Sequence, residues 1–181
     1  MKLLSLLIAL LFTLPARAEE EEEVKPATIE ASAVYRTTLS AAKSLVVLEG
    51  LPHQKFEQES FLTESARKDT QKIWIYPFYT PSVEAKNATD LRKLLGNSAT
   101  IKVYGGYKKL CGGFHPDYSL SWQAGETTYY ALLCFGCGEI LFYDGKAFLL
   151  YDLDKEALDH FKELLAVHKA KRPEKVKNTS K

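Results

Sequence analysis

The chain has 181 residues, with 24 Lys and Arg against 23 Asp and Glu, a formal charge of +1 and 46% hydrophobic residues. Nothing in so balanced a charge suggests a nucleic-acid partner. Length and apolar content allow one domain with a packed core, which sets the chain apart from miniatures held by disulfides alone.

Lys2 is followed by the apolar run LLSLLIALLFTL and then by Ala16-Arg17-Ala18, with small residues at the cleavage positions. The pattern predicts a secretory signal peptide over residues 1–18, cut after Ala18. The run is shorter than the roughly 20 residues of a membrane span, and no cysteine follows it to carry a lipid anchor. The mature chain is therefore expected to be exported, periplasmic or secreted, with no stable membrane span. Loss of Lys2 and Arg17 takes its formal charge to −1. Residues 19–27 form an acidic leader around Glu19 to Glu23, and residues 170–181 a basic tail. Such charge runs are expected to be solvated and disordered, leaving residues 28–169 as the folded domain.

Within that domain, Thr28 to Lys43 is compatible with a helix or an extended lead-in. Ser44 to Leu48 is a short apolar run ending at Gly50 and Pro52, which reads as a buried strand. Gln54 to Lys68 is polar and free of breakers, a helix carrying Phe56, Phe61 and Leu62. Ile73 to Tyr79 reads as one aromatic strand that lies at an edge or ends at Pro77, because proline cannot donate to a ladder. Asn87 or Thr89 caps a helix with Leu91, Leu94 and Leu95, stopped at Gly96, and Ile101 to Tyr104 is a further strand.

Beyond it, YSLSWQ and TTYYALLCF read as two strands joined by Ala124-Gly125-Glu126, and Asp144-Gly145 marks a second hairpin. Counting along these turns pairs Leu120 with Tyr130, Tyr118 with Leu132, Tyr143 with Lys146 and Leu141 with Phe148. A last helix starts at Asp152 or Asp154 and runs to about Lys169 on an apolar stripe of Ala157, Phe161, Leu164, Leu165 and His168. The order predicts an α+β fold, a mainly antiparallel sheet of two C-terminal hairpins plus N-terminal strands, with helices on one face.

The chemistry concentrates between Cys111 and Cys137, which hold every cysteine in the chain. The first hairpin sets Cys134 opposite Pro116, next to His115, so the Cys-Phe-Gly-Cys turn and the Cys-Gly-Gly-Phe-His loop share one end. Opposed Cβ atoms lie about 4.5–5.5 Å apart in such a ladder. Cys111 joins them if Gly112 and Gly113 fold back.

Three outcomes are open. Cys111, His115, Cys134 and Cys137 supply three sulfurs and a nitrogen, a set suited to tetrahedral zinc or Cu(I). A disulfide, most simply Cys111 with Cys134, would leave Cys137 a buried thiol. Cys134 and Cys137 could instead form the redox pair of a thiol-disulfide oxidoreductase. A thioredoxin-like turn runs into a helix that lowers the first thiol's pKa, however, and here ILFY continues as strand. Gly138 stands where c-type haem attachment needs histidine.

Asp117 is placed to orient the His115 imidazole. His53 reads as a turn residue at a strand end, and His168 is explained by the helix dipole. Trp74 and Trp122 read as core or sheet-face residues. No Ser-His-Asp set, phosphate loop or paired carboxylates stand out.

CGGFHPDYSLSW followed by LLCFGCGEILFY resembles a group of uncharacterised exported bacterial proteins that carry a cysteine, a proline-flanked histidine and a Cys-Phe-x-Cys turn. The likeness covers the second half of the mature chain, with weaker echoes in LEGLPH and PFY. It implies that Cys111, His115, Cys134 and Cys137 act as a unit and attaches no activity to them. The expected protein is an exported binding or structural module whose partner the sequence leaves unnamed.

Overall fold

The computed structural model describes residues 27–106 and 109–174. The expected signal peptide, the acidic leader apart from Ala27, and residues 175–181 of the basic tail lie outside the described residues.

A 3₁₀ turn at Glu30–Ser32 leads into α1 (Ala33–Ala41), which resolves the open reading of this stretch as helix. There follow β1 (Val46–Glu49), α2 (Gln58–Ser65), β2 (Thr70–Ile73), β3 (Tyr76–Tyr79), β4 (Val83–Glu84), α3 (Ala88–Gly96) and β5 (Ile101–Val103). The C-terminal half is β6 (Tyr118–Ala124), β7 (Thr127–Cys134), β8 (Glu139–Tyr143), β9 (Phe148–Leu153) and α4 (Lys155–Leu165). Seven strands form one antiparallel sheet in the order β4-β1-β6-β7-β8-β9-β5, and β2 with β3 forms a second sheet. The C-terminal meander is thus the centre of the large sheet. The strands that precede it in sequence pair onto its two sides, and the α+β expectation holds.

Burial follows from the two faces of that sheet. Leu120, Trp122, Ala131, Leu133, Ile140 and Phe142 point to one face and pack with Tyr35 and Leu39 of α1, Leu91 and Leu95 of α3, and Phe161 and Leu165 of α4. Their strand neighbours Leu132 and Leu141 point to the other face and pack with Ile73 and Phe78 of the β2–β3 hairpin. Strands covered on both sides read as continuous apolar runs, as LLC and ILF do here. Arg92 joins α3 to α1 by donating to the carbonyls of Leu39 at 2.9 Å and Ala42 at 2.8 Å, at the C-terminal end of α1. Asp154 caps α4 by accepting from the Glu156 N–H at 3.0 Å. Ala157, Phe161 and Leu165 then form the buried stripe at helical spacing.

Four sequence expectations are corrected. Ile73 to Tyr79 is not one strand but part of a hairpin that turns at Trp74-Ile75, with Trp74 at φ 54°. A bulky residue rarely takes that conformation, so nothing in the local sequence signals the turn. The helix expected over 54–68 starts only at Gln58, because residues 53–57 close a turn in which Glu57 N–H donates to the His53 carbonyl at 2.7 Å. The β6–β7 register is shifted by one: Ala124 pairs with Thr127, Leu120 with Ala131 and Tyr118 with Leu133. The two-residue turn Gly125-Glu126, with Gly125 at φ 61°, fits the strand twist better than a three-residue loop. The second hairpin is shifted by two, pairing Tyr143 with Phe148 and Leu141 with Leu150, because the Asp144 carboxylate accepts from the N–H groups of Lys146 and Ala147 and widens the loop.

Candidate functional site

The site is built where β6 begins and β7 ends. Asp117 N–H donates to Leu133 O at 2.7 Å and Phe135 N–H donates to Asp117 Oδ2 at 2.7 Å. Asp117, rather than Pro116, therefore faces Cys134, as the one-residue shift requires. Cys134 pairs with Glu139 across β7–β8, so residues 135–138 form the turn, with Gly138 at φ 64°. The Cys137 N–H donates to Cys134 Sγ at 3.2 Å, and the His115 N–H reaches the same sulfur at 3.5 Å.

Cys111 arrives from the other side on a tethered segment. Lys109 Nζ donates to the Cys137 carbonyl at 2.9 Å, lies 2.8 Å from Glu139 Oε1 and pairs with Asp152. Burial would lower the lysine's pKa, but the two carboxylates outweigh it and hold the pKa above its ordinary value. Past Cys111 the chain folds back through Gly112 at φ 83° and Gly113 at φ 105°. A Cβ on Gly112 would lie 2.7 Å from the Phe56 ring and 3.0 Å from His53 Cε1, so the close approach requires glycine as much as the dihedral does.

The outcome is a disulfide between Cys111 and Cys137, with Cα atoms 5.3 Å apart, and Cys134 is the free, buried cysteine. The expected pairing of Cys111 with Cys134 is corrected. The Cys134 side chain turns inward to receive N–H donors, which leaves Cys137 to meet Cys111. Burial pushes the Cys134 thiol up to about 11, despite the N–H groups of His115 and Cys137 that favour its thiolate. That is the opposite of an activated nucleophile. Among the described residues, no group of three or more His, Cys, Asp or Glu is arranged to hold a metal ion.

The histidines form the second half of the site. His115 Nε2 lies 2.8 Å from the Leu51 carbonyl, which can only accept, so Nε2 carries the proton and Nδ1 a lone pair. Its ring packs against that of His53 in a tilted arrangement, with centroids 4.6 Å apart and planes at 35°. His53 Nε2 donates in turn to the Cys111 carbonyl at 2.9 Å, and its Nδ1 accepts from the Lys55 N–H at 3.1 Å. Both nitrogens of His53 are engaged, whereas His115 Nδ1 takes no hydrogen bond from a described residue. Burial, then the Arg172 guanidinium, hold the His115 pKa down to about 4, so its imidazole is neutral near pH 7.

Asp117 does not orient His115, contrary to expectation. Its Oδ1 accepts from Arg172 at 2.7 Å and its Oδ2 from Phe135. Arg172 also donates to Gly50 O at 3.0 Å and to Leu51 O. Glu49 Oε2 accepts from the N–H groups of Ala170 and Lys171, at 3.0 and 2.7 Å. The start of the basic tail is therefore docked rather than solvated, and it clamps the strand end that carries Leu51 and His53. His168 is buried and accepts from the Lys86 N–H at 3.3 Å. Its pKa is lowered by burial first and Lys86 second, so a charged imidazole on the helix dipole is not its role.

Sequence reasoning missed Arg172 and undervalued His53. The one available signal for His53 was its place after Gly50-Leu51-Pro52, at the end of a buried strand. Gly50 is required there because a Cβ would sit 2.0 Å from the Pro116 carbonyl oxygen.

Two of the cavities that open on this assembly meet at its histidines. One, of about 430 Å³, reaches Cys111, Cys134, His115 and Arg172. The other is a groove of about 1050 Å³ that runs from His53 and Gly112 to His115, along the β2–β3 hairpin, to Gln58, Phe61 and Ser65 of α2. His115 lines both. The arrangement defines a disulfide-pinned loop at the end of a groove on an antiparallel α+β scaffold. Comparison with protein-family models, with curated proteins and with solved structures returned no match.

Proposed function

We propose that this chain is an exported binding module in which the Cys111–Cys137 disulfide fixes one end of a ligand groove. The observation that carries the reading is the chain of contacts from that disulfide to the groove: Cys111 O holds His53, and His53 packs against His115, which lines the groove. Export is supported by the pattern of residues 1–18 and by a disulfide, a bond that persists in oxidising compartments. The test is a fragment screen on the mature, isotope-labelled protein. The reading expects hits that shift the amides of His53, Gly113 and His115, and that weaken in a Cys111→Ser/Cys137→Ser variant. Hits scattered elsewhere, or none, would refute it.

A second reading, zinc or Cu(I) at Cys111, Cys134, Cys137 and His115, is favoured by the two backbone N–H donors on Cys134 Sγ, an arrangement that suits a thiolate ligand. It requires the disulfide to be reduced first. Native mass spectrometry with and without dithiothreitol checks it, expecting one zinc per chain only in the reduced protein. Thiol oxidoreductase activity of Cys134 and Cys137 has weaker support, since Cys137 is bonded to Cys111 and the Cys134 thiol is buried.

A further inference from the structure

The groove has a feature that the histidine end does not explain: one of its walls is the open edge of a strand. Thr80 N–H donates to Asp69 O at 2.8 Å, which makes these two a hydrogen-bonded pair. Bonded and non-bonded pairs alternate along an antiparallel ladder. Gln71–Phe78 and Ile73–Tyr76 are then bonded pairs, and Thr70–Tyr79 and Lys72–Pro77 are not. Pro77, which has no N–H, fits the non-bonded place. The N–H and C=O groups of Thr70 and Lys72 therefore point away from β3, to the side where the two-stranded sheet has no further strand. Among the described residues no backbone hydrogen bond meets them.

An unpaired edge of this kind is a template for an added strand. Across the groove from it stand Gln58, Phe61 and Ser65 of α2, and the open side of the hairpin turn carries Ile75, 58% exposed. The charges lining the groove have one sign. Lys55 and Lys72 face it and no Asp or Glu does.

We infer that this groove accepts an extended peptide segment rich in acidic residues from a partner protein, added as a strand on the open edge of β2 between that edge and α2. Its backbone pairs with Thr70 and Lys72, its carboxylates meet Lys55 and Lys72, and an apolar side chain seats against Phe61 and Ile75. The inference rests on the binding reading above and adds the ligand's class and direction of approach.

The probe is a displayed library of random heptapeptides selected on the full mature protein, followed by synthesis of the consensus peptide. Selection is expected to enrich Asp and Glu. The consensus peptide should bind about tenfold or more weakly to a Lys55→Glu/Lys72→Glu variant, since reversed charges at an interface cost both attraction and association rate. Both lysines are exposed, so that variant should keep the parent's melting temperature. The peptide should also slow hydrogen exchange at the Thr70 and Lys72 amides, and N-methylation of alternate peptide amides should abolish binding. Selection of basic peptides, unchanged affinity in the double variant, or binding without protection of those amides would overturn the inference. If the library enriches nothing while small fragments still shift His53 and His115, the peptide inference fails and the binding reading stands. If neither responds, both fail.

Discussion

Removing the disulfide tests the placement of all three cysteines. Cys111 and Cys137 are 26 residues apart, and the loop they close contains the whole β6–β7 hairpin. In the chain-entropy model a closure of that length contributes about 3.5 kcal/mol by restricting the unfolded chain. For a domain of this size that corresponds to a fall in melting temperature of roughly 7–14 °C. The assay is thermal unfolding of a Cys111→Ser/Cys137→Ser variant beside a Cys134→Ala variant, with non-reducing peptide mapping of each. The Cys134→Ala protein should keep the Cys111–Cys137 cross-link, and the double variant should show the large loss. A Cys134→Ala protein without that cross-link, or a double variant shifted by less than about 3 °C, would refute the assignment of the sulfurs.

Cys134 should be silent to a thiol reagent at pH 8 in the native protein and react once on denaturation, because it is buried and its thiol lies near 11; rapid native labelling would contradict this. His115 makes stability pH-dependent. Its folded pKa, about 4 against the usual 6.5, means that the unfolded chain takes up the proton first, so stability is lost as pH falls from about 6.5 towards 4. The full effect is about 3 kcal/mol. His168 contributes with the same sign, so the measurement is the difference in urea unfolding between the parent and His115→Gln, whose profile should be flatter across that window. Arg172→Ala should cost about 2–4 kcal/mol in the same assay, because it leaves Asp117 and two strand-end carbonyls without their shared donor. A cost under about 0.5 kcal/mol would place Arg172 among ordinary surface residues.

The residues of the site were legible in one dimension, but their partnerships were not. The clustering of His115, Cys134 and Cys137 follows from the hairpin, which any reading of YSLSWQ and TTYYALLCF produces, and Cys111 joins them through the Gly112-Gly113 turn. Which sulfur meets which depends on a single residue of register, and both faces of β7 are apolar enough to accept either register. Turn chemistry at Gly125-Glu126 decides it. His53 lies 58 residues before Cys111 in the chain, and Arg172 lies 55 residues after Asp117. Contacts at such separations leave no local pattern.

The α+β class, the helices at 88–96 and 155–165, and the meander from β6 to β9 were set by the sequence itself, because periodicity, the Asp154 cap and glycine turns act over a few residues; the expected Asn87 cap is not made, since its side chain donates to the Leu164 carbonyl instead. Only the tertiary structure decided that the aromatic segment at 73–79 doubles back, that its hairpin covers the second face of the sheet, and that β2 is left with an open edge. Those outcomes depend on which apolar faces remain uncovered once the larger sheet has formed, a property of the assembled layers.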